Sequence, residues 1–202
     1  MIKEIRPALV LLVALTAITG LVYPLAMTGV AGTLFPYQAE GSLLHDKDGK
    51  VIGSALIGQS FTDARYFHGR LSATTEPDPK DPTKTVPTPY AADSSAGSNL
   101  GPTNKALVDR VQGDMDKLRA ENPNGPLPAD LVTTSASGLD PDISPEAAAF
   151  QVPRVAKARN LPADQVRQVV DQTVQGRTLG LLGEPRVNVL ALNMALDTLG
   201  QK

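Results

Sequence analysis

The sequence predicts a protein of class α+β or α/β, with one N-terminal transmembrane helix followed by a single mixed soluble domain of several helices and few short strands. Two observations support this prediction. No side chain is charged from Pro7 to Ala39, and most of that stretch is strongly apolar. Amphipathic segments with helical spacing dominate the second half of the chain, with only short β-branched runs between them. These patterns do not separate α+β from α/β.

The N-terminal apolar stretch has the length of a membrane span. A helix from Ala8 to Val30 would rise about 35 Å at about 1.5 Å per residue, which matches a hydrocarbon core of about 30 Å crossed with some tilt. Pro24 should kink this helix, because proline removes one backbone donor. A secretory signal peptide is the competing interpretation, but the stretch is too long and shows no clear cleavage site.

Basic residues near the span predict its orientation. Lys3 and Arg6 form the tighter basic cluster, so we expect the N-terminus in the cytoplasm and the large domain outside it. The predicted boundaries are a cytoplasmic N-terminus at residues 1–6, a transmembrane helix region at 7–35 and an extracytoplasmic soluble domain at 40–202. The chain has no cysteine, which excludes disulfides, thiolate metal sites and cysteine nucleophiles.

Segments of strand character and one irregular region are predicted in the first part of the soluble domain. Val51–Ile52 and the following Gly53–Gly58 predict a short strand or hairpin. Between Ser72 and Ser98 the chain is rich in proline and poor in core-forming residues, so residues 72–98 predict a long irregular loop or insertion. Leu131–Thr134 predicts another strand, because β-branched residues pack well on a pleated surface.

Helices are predicted in the second half. Pro102 suits the first position of a helix that Pro123 ends. Ser144–Glu146 is a strong helix start, with a hydroxyl cap, a proline and an acid in the first turn, and Pro153 should break or kink that helix. The remaining predicted elements are a helix from about Pro162 to Gly176, a short strand or cap at Val187–Val189, and an amphipathic helix containing Leu192, Ala195, Leu196 and Leu199.

Composition and missing motifs exclude several functions. A net charge of −2 is not the balance of a nucleic-acid-binding protein, and 4% aromatic residues with no tryptophan leave few stacking platforms. The chain has neither Gly-x-x-x-x-Gly-Lys-Ser/Thr nor Gly-x-Gly-x-x-Gly, so no known phosphate-binding loop is present. It also lacks Asp-Lys-Thr-Gly-Thr, so it is not the phosphorylated subunit of an ion pump.

The residues that could carry catalysis or bind a metal are few. His45 and His68 are the two histidines, and no cluster of carboxylates at ligand spacing accompanies either, so no metal site is predicted. Ser60, Ser135 or Ser137 could meet His68 in a hydrolase, but the chain has no Gly-x-Ser-x-Gly elbow. We therefore predict no catalytic residue.

The stretch from Ser135 to Pro145 has two interpretations. In the structural one, Gly138 permits a left-handed turn while Asp140 and Ser144 satisfy local backbone donors. In the functional one, the stretch is a rigid surface loop that binds a partner. The sequence leaves both open.

Five blocks of sequence carry a resemblance to a known family. They are Leu21–Leu25; Gly53–Phe61 with Tyr66–Arg70; Ser98–Gly101; Ser135–Pro145 with Gln151–Arg159; and Gly183–Leu190 with Leu192–Asp197. In these blocks the chain resembles the C-subunit family of the Kdp high-affinity potassium-transporting P-type ATPase. The resemblance covers nearly the whole chain and is weakest between Glu76 and Ala96.

The resemblance implies a non-catalytic, single-span subunit in a bacterial inner membrane, within a complex that hydrolyses ATP to import potassium. The implied partners are a P-type ATPase subunit, a channel-like subunit that binds the potassium, and a small single-span subunit. A role as a catalytic chaperone that raises the ATP affinity of the ATPase subunit is also implied. ATP is cytosolic, so a domain outside the cytoplasm could affect it only through coupling across the assembly.

One segment is the best candidate for direct nucleotide contact. Gly58, Gln59 and Ser60 combine a glycine turn, which exposes backbone amides, with a side-chain amide and a hydroxyl. An ordinary turn at a strand end is the other interpretation of these residues. The alternative function for the whole chain is an independent membrane-anchored extracytoplasmic hydrolase or binding protein.

Overall fold

The computed structural model describes residues 2–199, and the chain divides into two compact units, Met1–Ser54 and Ala55–Lys202. The first unit is a long helix followed by a hairpin. The second holds the hydrophobic core. Within the described residues every named sheet is small and antiparallel, which favours α+β over α/β.

The first unit contains the apolar helix, which is longer than the predicted span. It is built from α1 (Ile2–Ala17), a π-helical turn (Ile18–Val22) and α2 (Tyr23–Leu34). The stretch Lys3–Leu34 is long and apolar enough to cross a membrane. The π turn lies directly before Pro24, and the Tyr23 amide donates to the Ile18 carbonyl. A wider turn relieves the clash that a proline ring makes with the preceding turn, so the structure shows a π turn beside Pro24, where the sequence predicts a kink.

A short helix and a hairpin complete the first unit. Helix α3 (Pro36–Ala39) precedes β1 (Leu43–His45), which pairs with β2 (Val51–Ser54). The predicted strand at Val51–Ile52 is therefore confirmed, but residues 55–57 form a turn and do not extend it.

The second unit opens with a region where two predictions are wrong. Residues 72–98 contain the hairpin β3 (Thr75–Asp78) and β4 (Asp81–Pro87), where only an irregular loop was expected. Each strand of a two-stranded hairpin has an outer edge that tolerates a missing donor, so prolines do not prevent pairing. Leu131–Thr134 is not a strand. A 3₁₀ turn at Ala129–Leu131 ends at its first residue, and within the segment only Thr134 makes a β-bridge, an isolated one to Leu71.

Helix α4 (Lys105–Glu121) begins three residues later than predicted. The Asn104 side chain caps it by accepting from the Ala106 amide at 2.9 Å, so Pro102 lies outside the helix. The helix ends before Pro123, as expected.

The core forms from three helices and one small sheet. Helices α5 (Pro145–Arg159), α6 (Ala163–Thr173) and α7 (Val189–Leu199) accompany β5 (Asp142–Ile143), β6 (Val174–Gln175) and β7 (Arg186–Asn188), in the sheet order β5-β7-β6. The side chains of these elements form one buried hydrophobic cluster, to which residues outside the helices and the sheet also contribute. Its largest fully buried apolar side chains are Phe67, Leu192, Leu196, Val152, Val155, Val166 and Val187.

The predicted helix cap at Ser144 is confirmed, whereas α5 continues through Pro153, where the sequence predicts a break or kink. The Ser144 hydroxyl caps α5 by accepting from the Ala147 amide at 3.0 Å. Pro153 does not break this helix, because the proline lies on its exposed face while Val152 and Val155 beside it are buried. Asn188 ends β7 and caps α7 through the Ala191 amide, so the predicted strand and the predicted cap are the same residue.

Candidate functional site

The predicted segment Gly58–Ser60 lies at the start of the second unit, and Gly58 is buried there. Its amide donates to the Leu139 carbonyl at 2.9 Å. A Cβ at this position would lie 2.5 Å from the Asp140 carbonyl oxygen and 2.5 Å from Cε1 of Tyr90. Gly58 therefore has a packing role, and its amide is not available to a ligand. Gln59 is partly buried and Ser60 is exposed.

Tyr90 is the centre of this packing. Its ring lies against Gly58, and its hydroxyl meets the position that a Cβ on Gly69 would occupy. That hydroxyl donates to the Arg70 carbonyl at 2.7 Å, and the Tyr90 backbone has a φ of +63°. Burial, with a smaller contribution from the Asp140 charge, raises the pKa of the Tyr90 hydroxyl to about 12. The tyrosine therefore stays neutral and acts as a donor.

Arg70 and Asp140 form a partly buried ion pair beside Tyr90. Nη1 of Arg70 lies 2.9 Å from Oδ2 of Asp140, and the other oxygen of Asp140 accepts from the Asp142 amide at 3.1 Å. The Arg70 Nε is buried and makes no hydrogen bond within the described residues. Removing one partner would leave the other, partly buried charge without its counter-charge, so the pair helps to hold its loop in place.

The stretch from Ser135 to Pro145 is held from both sides by internal hydrogen bonds. Ser135 Oγ accepts from the Gly138 amide at 2.8 Å, and Ser72 Oγ donates to the Gly138 carbonyl at 2.8 Å. The Ser137 carbonyl accepts from the Ala96 amide at 3.0 Å. Gly138 has a φ of +70°, as the predicted left-handed turn requires. These contacts give the stretch the structural role of the first interpretation.

The outer side of the same stretch lines a charged cleft of about 230 Å³. Its walls carry two arginines and four carboxylates, from Arg70, Arg186, Asp130, Asp140, Asp142 and Glu184. Burial raises the pKa of Asp142, while the Arg186 guanidinium, 3.1 Å away, opposes the shift. The cleft is net acidic and smaller than typical ligand pockets of about 300–1,000 Å³, so it does not suit a polyphosphate.

Two side-chain amides, from the fourth and fifth sequence blocks, hydrogen-bond to the backbone of the second block. The buried Asn193 side chain accepts from the Phe67 amide at 2.8 Å and donates to the Phe67 carbonyl at 3.0 Å. Gln151, also buried, makes the same pair of bonds with the backbone of His68, at 2.8 and 3.1 Å. These amides replace a neighbouring strand as hydrogen-bond partners for residues 67–68.

Two arginines of α5 fasten the segment before Phe67. Arg154 donates to the carbonyls of Ala64 and Tyr66 and pairs with Glu121 at 2.9 Å. Arg159 pairs with Asp197 at 2.8 Å, and its guanidinium lies 5.0 Å from the centre of the Tyr66 ring. Both guanidinium groups are occupied by contacts within the unit.

The residues considered for hydrolysis do not form a catalytic pair in the described part of the chain. Nε2 of His68 lies 3.2 Å from the Asp63 carbonyl, and burial lowers the pKa of this imidazole. The hydroxyls of Ser135 and Ser137 accept from nearby backbone amides, and Ser60 is exposed. No group of three metal-ligating side chains occurs within residues 2–199.

Two elements of this region are absent from the sequence-based candidates. Tyr90 lies in the proline-rich region, where no motif indicates a tertiary role. The amides of Gln151 and Asn193 lie within sequence blocks, but their pairing with Phe67 and His68 depends on long-range folding. Only the resemblance of these blocks to one family could have drawn attention to them.

Comparison with known proteins assigns the chain to a family. The family model for KdpC, the K⁺-transporting ATPase c chain, matches residues 5–198. The potassium-transporting ATPase KdpC subunit of Bradyrhizobium diazoefficiens is 73% identical over 202 residues, which is 100% of both chains. The subunit of the same name from Rhodopseudomonas palustris is 71% identical over 98% of each chain, and that from Methylobacterium nodulans is 68% identical over 100% of each. The chain therefore belongs to the KdpC family, as a non-catalytic accessory subunit of a potassium-transporting ATPase.

Proposed function

We propose that this subunit supports assembly of the potassium-importing complex and raises the ATP affinity of its P-type ATPase subunit by coupling across the assembly. The other proposed partners are a channel-like subunit, which handles the potassium, and a small single-span subunit. The proposed location is a bacterial inner membrane, with residues 1–6 in the cytoplasm, residues 7–35 in the membrane and residues 40–202 outside the cytoplasm.

The observation that carries this proposal is the internal use of the polar groups in the second unit. The guanidinium groups of Arg70, Arg154 and Arg159 are all engaged in ion pairs, and the Gly58 amide is bonded to Leu139. A rigid body of this kind suits transmission of a conformational preference between subunits. The cleft beside Arg70 offers little to a triphosphate, because it is net acidic.

Assembly and topology are tested together. A tagged full-length chain, purified in mild detergent, is expected to recover the other subunits of its ATPase. Protease added to intact spheroplasts is expected to cut within residues 40–202. Purification of the chain alone, while the other subunits assemble without it, would contradict the assembly role. Full protection of the domain, alongside an external control protein that is cut, would contradict the orientation.

Direct nucleotide contact at Gly58, Gln59 and Ser60 stays a prediction, and one substitution separates it from coupling. Gln59→Ala is compared with Gln175→Ala, which changes an exposed glutamine in the second unit. Direct contact requires that the full-length chain alone binds ATP and loses this binding in Gln59→Ala only. Coupling predicts no ATP binding by the chain alone, an altered ATP dependence of the complex with Gln59→Ala, and a normal ATP dependence with the control variant.

The apolar helix offers a face for helix packing. A Cβ at Gly20, Gly29 or Gly32 would meet nothing within 4 Å, and small residues permit close approach of a second helix. Thr19 donates to the Leu15 carbonyl of its own helix at 2.7 Å. Gly29→Leu fits the isolated subunit, so we expect any loss of co-purified partners to arise between subunits, and to exceed the loss in Leu11→Phe. Equal recovery by both variants would argue against a packed face at Gly29.

A further inference from the structure

The loop between β6 and β7 presents three leucines to solvent. Leu179, Leu181 and Leu182 are 86%, 79% and 64% exposed, and we refer to residues 178–182 as the leucine tip. Leu179 and Leu181 are more exposed than any large apolar side chain described in the membrane helix, where Leu25 is the highest at 71%. Such a cluster is unfavourable in water and marks an interaction surface.

The leucine tip has a defined shape. The Thr178 amide donates to the Leu182 carbonyl at 2.8 Å, and the Leu182 amide donates to the Thr178 carbonyl at 3.0 Å. Leu179 has a φ of +55° and Gly180 a φ of +73°. A leucine rarely adopts a positive φ, because its Cβ crowds the following carbonyl. The hydrogen-bonded turn therefore holds the leucines outward in a conformation that the chain does not prefer by itself.

The charge around the leucine tip decides between a lipid surface and a protein. Arg177 and Glu184 flank the tip and form an ion pair of 2.6 Å, which leaves the base of the tip neutral. Residues 176–185 contain no aromatic side chain. Loops and helices that bind lipid headgroups usually combine apolar residues with unpaired basic residues and interfacial tryptophan or tyrosine. The neutral, preformed tip instead matches a protein pocket that is apolar and has no charged residue at its centre.

We propose that the leucine tip binds an apolar pocket on the extracytoplasmic surface of another subunit of the same potassium-transporting ATPase. This inference rests on the proposed function, because it needs the second unit to lie outside the cytoplasm within an assembled complex. The tip then adds a contact outside the membrane to the packing of the single helix within it. Two linked contacts strengthen binding beyond either alone, because the second forms at a high effective concentration.

The test uses the full-length chain produced together with the other subunits of its ATPase. The double variant Leu179→Ser and Leu181→Ser removes the apolar surface of the tip, and Val108→Ser on α4 is the control, since it changes another exposed apolar side chain. We expect the double variant to recover about tenfold less of the partner subunits, because solvent-excluded apolar anchors dominate interfaces, while the control matches the unaltered chain. A photoreactive p-benzoylphenylalanine in place of Leu181 is expected to crosslink to a partner subunit.

Each outcome decides the proposal. Unchanged recovery by the double variant overturns it, and so do crosslinks that form only with lipid or with a second copy of this chain. If the unaltered chain recovers its partners and the double variant does too, only the leucine tip proposal fails. If the unaltered chain recovers no partner subunit, the proposed function fails together with it. The crosslink is read in a chain with two of its three leucines intact, so it remains decisive if the serine variant folds poorly.

Discussion

The substitution Gly58→Ala tests whether this glycine packs the second unit or contacts a nucleotide. The added Cβ would lie 2.5 Å from the Asp140 carbonyl oxygen and from Cε1 of Tyr90. Favourable contacts between heavy atoms lie at about 3.5–4.0 Å, so one neighbour must move by about 1 Å. Neither moves freely, because Asp140 is paired with Arg70 and the Tyr90 hydroxyl is bonded to the Arg70 carbonyl.

The expected cost follows from this overlap. Overpacking of a well-packed site costs about 1–3 kcal/mol, and two rigid neighbours place Gly58→Ala at about 2–3 kcal/mol of lost unfolding free energy. With a urea m-value of about 2 kcal/mol/M, the unfolding midpoint should fall by about 1–1.5 M. Gly113→Ala is the matched control, because a Cβ there meets nothing within 4 Å and the residue lies inside α4. That change should stabilise the protein by about 0.5–1 kcal/mol.

The assay is a urea titration of the full-length chain in detergent, followed by a short pulse of protease that digests the unfolded second unit. A midpoint of Gly58→Ala within about 0.3 M of the unaltered chain would refute the packing argument, since that shift corresponds to less than about 1 kcal/mol. An unchanged midpoint together with weaker ATP binding by the chain alone would instead assign Gly58 to a nucleotide site.

Three further predictions concern the same region. Gly69→Ala should lower the free energy of unfolding by about 1–3 kcal/mol, because the new Cβ meets the Tyr90 hydroxyl and the ring carbon that bears it. The cost should be smaller in a Tyr90→Phe background, which lacks the hydroxyl, and equal costs in both backgrounds would contradict this. Burial lowers the pKa of His68 below 6.5, so the native state binds fewer protons than the unfolded state. The contribution of His68 to the free energy of unfolding should be full above pH 6.5 and should fall as the pH drops below that value. Urea midpoints at a series of pH values should show this dependence in the unaltered chain and in His45→Gln, but not in His68→Gln. The pKa of Asp142 is raised above 3.8, so the native state binds more protons than the unfolded state. The contribution of Asp142 to the free energy of unfolding should therefore decline as the pH rises above 3.8. Asp142→Asn should remove that decline from the same urea titrations.

Features encoded in a few adjacent residues could be predicted from the sequence. The start of α5 is one, because Ser144 provides the cap and Pro145 suits the first turn. The apolar helix is another, because its length and lack of charge are visible without tertiary information. For Pro24 the sequence predicts a kink, and the structure shows a π turn directly before this residue.

Features that depend on distant residues could not be predicted. The β3–β4 hairpin forms despite Pro77 and Pro82, because an edge position removes the penalty that composition alone assigns to proline. Pro153 remains in α5, because burial of its neighbours outweighs one lost hydrogen bond on the exposed side. The packing of Tyr90 against Gly58 joins segments that share no local sequence pattern. The glycine turn therefore suggested backbone amides available to a ligand, whereas the fold uses the Gly58 amide in a hydrogen bond to the Leu139 carbonyl.

The most direct test of the account is the ATP dependence of potassium-stimulated hydrolysis by the purified complex, measured with and without this chain. We expect a lower KM for ATP when the chain is present, together with no ATP binding by the full-length chain alone. The same KM in both preparations would contradict the proposed coupling, and tight ATP binding by the chain alone that disappears in Gln59→Ala would replace it with direct contact.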